Sequence, residues 1–135
     1  SMLCSALQSI ELPENLIEID TTAFCMCSSL QEITVPDQVR KIRDSTFQGC
    51  SALEKAVLGE AADEIGDYAF MMCSKLQSIT IPAGMKRIGQ SAFGYCTALK
   101  DVYFGGSEEE WVQIDIDTGN ESLTMAQVHF GAEAS

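Results

Sequence analysis

The residues of this 135-residue chain with chemistry to offer are one histidine, six cysteines and a short acidic stretch. His129 stands near the end of an apolar, strand-like run, and no Ser/His/Asp arrangement of any specificity can be built around it. It reads as a structural residue. Cys25-x-Cys27 lacks the second ligand pair and the nearby histidine of a zinc site. The stretch Asp115-Ile-Asp117-Thr-Gly119-Asn120-Glu121 resembles a calcium loop but lacks the fixed spacing of its ligands. Gly105-Gly106 leads into Ser-Glu-Glu-Glu, where an acidic first turn would repel phosphate, so it reads as a turn and a helix N-terminus. No catalytic residue, metal or cofactor is expected.

What positions these residues is a repeat. Cys4, Cys27, Cys50, Cys73 and Cys96 fall at intervals of 23, and Phe24, Phe47, Phe70 and Phe93 keep the same interval. A period of this length marks a protein whose units stack along one axis. Other columns stay mostly apolar: Leu7/Leu30/Leu53/Leu76/Leu99, Ile10/Ile33/Ala56/Ile79/Val102, Leu12/Val35/Leu58/Ile81/Phe104 and Ile19/Ile42/Ile65/Ile88. One unit cannot close a core, but stacked units bury a continuous spine. Alternation at period 2 across Ile10–Leu12, Ile33–Val35 and Ile79–Ile81 predicts short parallel strands. Pro13, Pro36 and Pro82 end them, because proline cannot donate to a ladder. The return stretch before each Cys is too short for more than about one helical turn. Its Asp, Ser and Thr residues suit turns.

The motif C-x-x-L-x-x-I-x-I-P-x-x-(V/L)-x-x-I-x-x-x-A-F resembles the BspA-like (Treponema pallidum type) leucine-rich repeats over residues 4–104. The stretch from Val102 to Phe130 resembles the closing segment of such proteins. The resemblance implies a leucine-rich-repeat solenoid, a right-handed α/β-type superhelix of mostly β-structure and turns. It would have five 23-residue rungs with a parallel sheet and a C-terminal cap. The units are 4–26, 27–49, 50–72, 73–95 and a partial 96–104, followed by a capping segment over 105–135. Residues 1–3 read as a lead-in and cloning remnant, with the repeats cut from something longer. The third unit departs from the pattern at Ala56, Gly59 and Ala62, so a looser rung is expected there. Trp111 falls one full repeat after Ile88, in the isoleucine column. It is expected to cap the spine there, with Leu123, Val128 and Phe130.

A net charge of −12 makes nucleic acid an unsuitable partner. By unit the charge is −4, 0, −4, +3 and, for residues 96–135, −7. Its sign alternates at neighbouring positions, from Glu18 to Arg40 and Lys41, Asp63 and Glu64, then Lys86 and Arg87. That reads as a charge ladder between rungs in preference to a basic binding patch. Five cysteines share an inward column, where side chains in register do not converge, so free buried thiols are expected. Cys25, off the column, is the one candidate for an exposed thiol. There is no apolar run near the length of a membrane span and no signal peptide, and a monomer is expected.

What remains is surface. Glu11, Glu32, Thr34, Lys55, Val57, Thr80, Asp101 and Tyr103 point outward from the strands and form the candidate face for a protein partner. Val57 and Tyr103 are its best anchors. A second candidate edge carries Met26, Met71, Met72 and Tyr95 just before the Cys column. The resemblance implies a non-catalytic domain of a secreted or cell-surface bacterial protein engaged in recognition, adhesion or host contact. The competing reading is a spacer or stalk with no ligand of its own.

Overall fold

Strands form where apolar and polar residues alternate. The computed structural model describes Cys4 and residues 8–131. In it the strands are Glu32–Thr34 (β1), Lys55–Val57 (β3), Ser78–Ile81 (β5), Asp101–Phe104 (β7) and, from the closing segment, Gln127–Phe130 (β9). They make one parallel sheet in the order β1-β3-β5-β7-β9. The register places Ile33, Ala56, Ile79, Val102 and Val128 side by side on the inward face. A second parallel sheet runs through Lys41–Ile42 (β2), Glu64–Ile65 (β4), Arg87–Ile88 (β6) and Asp115–Ile116 (β8). The sequence pattern does not announce it, because so short a strand leaves no alternation to detect.

From the second sheet each rung returns through tight turns. Ala23, Cys25 and Cys27 each donate an N–H to the carbonyl three residues earlier, and the other rungs repeat the pattern. These corners also bond from rung to rung. The Phe24 N–H donates to the Thr46 carbonyl (2.9 Å), Phe47 to Ala69 (2.7 Å) and Phe70 to Ala92 (2.7 Å). The phenyl rings are thereby held 5.1–5.3 Å apart and within 10° of parallel. Phe47, Phe70 and Phe93 are fully buried, whereas Phe24 at the end of the row is only half-buried.

Ala56 and Ala62 of the third rung are fully buried. A methyl group at Gly59 would come within 2.5 Å of the Asp37 Cα, so glycine lets that backbone lie against the preceding rung. The first rung departs from expectation. Among the described residues its sheet pairing with β1 is a single bridge, Ser9 to Glu32, and the strand predicted over Ile10–Leu12 does not form.

The Cys column divides. Cys50, Cys73 and Cys96 are free and buried, and each thiol donates to the carbonyl of a Phe 26 residues earlier (3.1, 3.2 and 3.1 Å). Cys4 and Cys27 instead form a disulfide, with Cα atoms 4.9 Å apart, which corrects the expectation of five free thiols. The rung spacing puts column neighbours within disulfide reach, and these two sulfurs turn to each other instead of to a carbonyl. Burial pushes the Cys96 thiol up to about 12. The Cys50 sulfur, then burial, pushes Cys73 up as well.

The C-terminal end closes by insertion. Ile88 pairs with Ile116, so the closing rung is longer than the repeat. The extra length holds the helix Glu108–Trp111 (α1), started by a capping box in which Ser107 and Glu110 each accept the other's backbone N–H. Trp111 is therefore displaced from the isoleucine column, which Ile116 fills. Its ring meets Phe104 edge-on at 5.1 Å and is half-buried against the core. Leu123, on the helix Glu121–Thr124 (α2), is fully buried and Val128 half-buried, but Phe130 is exposed. Beside them Asn120, only 2% exposed, finishes the ladder. Its Oδ1 accepts the Phe93 N–H (2.9 Å), the bond that a next-rung carbonyl makes elsewhere. Its Nδ2 donates to the carbonyls of Gly89 and Asp117 (2.9 Å each).

Phe47→Ala should cost about 3–5 kcal/mol in a denaturant titration, because it opens a cavity between the rings of Phe24 and Phe70. A loss under about 1 kcal/mol would mean the row is not core.

Asn120→Ala should cost about 1–3 kcal/mol by leaving the buried Phe93 N–H and the Asp117 carbonyl unpaired. Asn120→Asp should be no milder, since it keeps the acceptor but removes both donors and buries a charge. An unchanged unfolding midpoint in both variants would remove the cap role.

Native protein should react with a thiol reagent at Cys25 at most, since the other free thiols are buried. Unfolded but unreduced protein should show four thiols, Cys25, Cys50, Cys73 and Cys96, and six only after reduction. Six before reduction would contradict the disulfide.

Candidate functional site

The pleat turns every second strand residue outward, and the register lines them up as two rows. One row is Glu32, Lys55, Ser78, Asp101 and Gln127, and the other is Thr34, Val57, Thr80, Tyr103 and His129. Glu32 and Thr34 are exposed, while Lys55, Val57, Thr80, Asp101 and Tyr103 are half-buried among their neighbours. Glu11 is exposed on the first rung, outside any strand.

His129 belongs to this face, which its position in the sequence did not reveal. The final rung outruns the repeat on this sheet too, as the pairing of Asp101 with Gln127 shows, so the repeat frame does not bring His129 beside Tyr103. In the fold the imidazole stacks on the Tyr103 ring at 4.8 Å, and its Nε2 lies 2.8 Å from the Asp101 Oδ1. Asp101 fixes the imidazole in place, and the phenol and imidazole together form a rigid polar-edged platform. Two shallow grooves flank the strands. One of about 970 Å³ lies between Ser9–Asn15 and Glu32–Gln38. The other, of about 580 Å³, runs past Val57, Thr80, Pro82, Gly84 and Gly105.

On the second sheet the charges pair between rungs. Arg40 binds Asp63 at 2.8 Å, and Lys41 (3.8 Å) and Arg87 (3.9 Å) approach Glu64 from either side. Arg87 also reaches Asp67 at 3.4 Å. Glu18 pairs with Arg43 (2.7 Å) and not with the Arg40–Lys41 position. Most of these groups are partly exposed, so each pair contributes little, about 0–1 kcal/mol.

The methionine edge has a backbone cause. Met26, Met72 and Tyr95 have φ of 63, 64 and 58°, in the left-handed region, and Gly49 fills the same position with φ of 74°. That conformation turns the side chains outward, to 64, 50 and 69% exposure. Met71 is one position earlier and half-buried, against Gly94, so it does not share the edge.

In the acidic loop Asp117 accepts the Thr118 N–H (2.7 Å), and Asn120 faces inward. Among the described residues no three His, Cys, Asp or Glu side chains gather as a metal site. No helix among them is long and apolar enough to cross a membrane.

Comparison with known proteins agrees with this architecture. The family model described as a BspA type leucine rich repeat region of six copies matches residues 2–113. A leucine rich cell surface protein from Faecalibacterium prausnitzii is similar over 79% of the chain, with 36% identity and a TM-score of 0.74. The leucine rich repeat protein of T. pallidum is similar over 68%, with 35% identity and a TM-score of 0.65. The chain spans 28% and 45% of those two proteins. Among curated proteins none matches.

Proposed function

Because the chain belongs to the BspA-type leucine-rich-repeat family, we propose that it is a recognition module that binds a protein partner on its strand face. Proteins of this family and fold are typically non-catalytic, and leucine-rich-repeat domains generally mediate protein interactions. The observation that carries the proposal is the Asp101–His129–Tyr103 cluster, which sets an aromatic platform in line with Thr80 and Val57 on a polar sheet face. Apolar and aromatic anchors ringed by polar residues are the usual anatomy of a hot spot. The anchors sit on strands, so little ordering entropy opposes binding.

Two observations support a secreted or cell-surface setting. The Faecalibacterium relative is described as a cell surface protein. The Cys4–Cys27 disulfide is a bond that persists in oxidising surroundings. The role proposed there is adhesion or host contact.

The test compares wild type with Tyr103→Ala plus Val57→Asp in binding to immobilised host-surface and matrix proteins. A partner of this face should bind the wild type and lose on the order of tenfold or more in affinity to the double variant. If the partner is basic, its on-rate should fall as salt rises, given the net charge of −12. If the wild type retains nothing that the variant loses, the face is not the site, and a stalk without a ligand is the reading that remains.

A further inference from the structure

The first rung is anchored at both ends and stands open between them. At its start Cys4 is bonded to Cys27, the Gln31 N–H donates to Gln8 (2.8 Å), and Ser9 bridges to Glu32. At its far side Glu18 pairs with Arg43, and Phe24 stacks on Phe47. Between them, from Ile10 to Ile19, no backbone bond to the second rung is made, and the stretch Ile10–Asn15 borders the open part. Elsewhere the Val35 N–H reaches the Val57 carbonyl (2.8 Å) and the Leu58 N–H reaches that of Thr80 (3.0 Å). The equivalent bond, from the Leu12 N–H to the Thr34 carbonyl, is not made. The gap is the cleft of about 970 Å³, near the upper end of the size of ligand pockets.

The lining of the cleft states what would fill it. Glu11, Glu14, Glu32 and Asp37 border it with no lysine or arginine among them, and Ile10 and Val35 supply apolar wall. Glu32 faces Lys55 across the sheet, and Asp37 accepts the Glu60 N–H (3.2 Å). Among the described residues Glu11 and Glu14 form no ion pair. We propose that this cleft binds an extended, basic peptide segment, which adds to the sheet between the first rung and β1. Its backbone N–H groups pair with the open carbonyl of Thr34, and alternate lysine or arginine side chains reach Glu11 and Glu14. The proposal adds to the strand-face reading and does not depend on the Tyr103 end.

The probe is a fluorescent peptide of alternating lysine and valine, titrated with the intact protein and followed by anisotropy. Saturable binding that weakens as salt rises is expected, with none for the glutamate–valine counterpart. Glu11→Gln with Glu14→Gln should weaken binding on the order of tenfold, while Tyr103→Ala should bind as wild type does. A lysine–valine peptide N-methylated at alternate residues keeps its charge but loses backbone donors, and it should not bind. Equal binding of the methylated peptide would reduce the interaction to charge alone and overturn the proposal. So would an unchanged affinity in the Glu11→Gln, Glu14→Gln double variant, or the absence of saturable binding. Loss of binding in Tyr103→Ala would place the peptide on the strand face and remove the cleft from it.

Discussion

The hydrogen bond from one rung to the next sets the spacing of everything else. Once the Phe47 N–H is bonded to the Ala69 carbonyl and Val35 to Val57, each side chain faces the same column one rung away. Phenyl rings then stack in parallel at a nearly constant interval, because the backbone dictates their offset. Opposite charges on successive rungs become neighbours, as Arg40 and Asp63 are. Even the thiols follow, each donating to a Phe carbonyl in the turn behind it.

The same constraint makes the ends the costly part of the molecule. A middle rung satisfies its backbone by being copied above and below. A terminal rung must replace its missing neighbour with something else. At the C-terminus the substitute is Asn120, whose side-chain amide stands in for a carbonyl and fills two further bonds. Trp111 and Leu123 cover the apolar end. At the N-terminal side the Cys4–Cys27 bond holds the first rung while part of it stands away from the sheet.

Surface properties follow from position in the rung. Residues on strands are presented in straight rows with their rotamers limited by neighbours, which suits recognition. Residues before each Cys lie in left-handed turns, so whatever stands there is pushed outward, methionine and tyrosine included. Exposure at Met26, Met72 and Tyr95 is thus a consequence of the turn. The Tyr103–His129 stack depends on two strands meeting in register.

Most of what repeats was readable from the chain alone, the second sheet with its two-residue strands excepted. The columns from Leu30 to Phe104 and the prolines that end strands rest on interactions between residues at fixed sequence separation. Translation by one repeat makes such interactions visible as periodicity. What does not repeat was decided by the tertiary structure. The insertion in the closing rung moved Trp111 out of the isoleucine column and put Ile116 there. Asn120 became a ladder acceptor, His129 joined Tyr103 and Asp101, and Cys4 turned to Cys27. Each departs from the repeat, and a repeat pattern describes only how one unit meets the next.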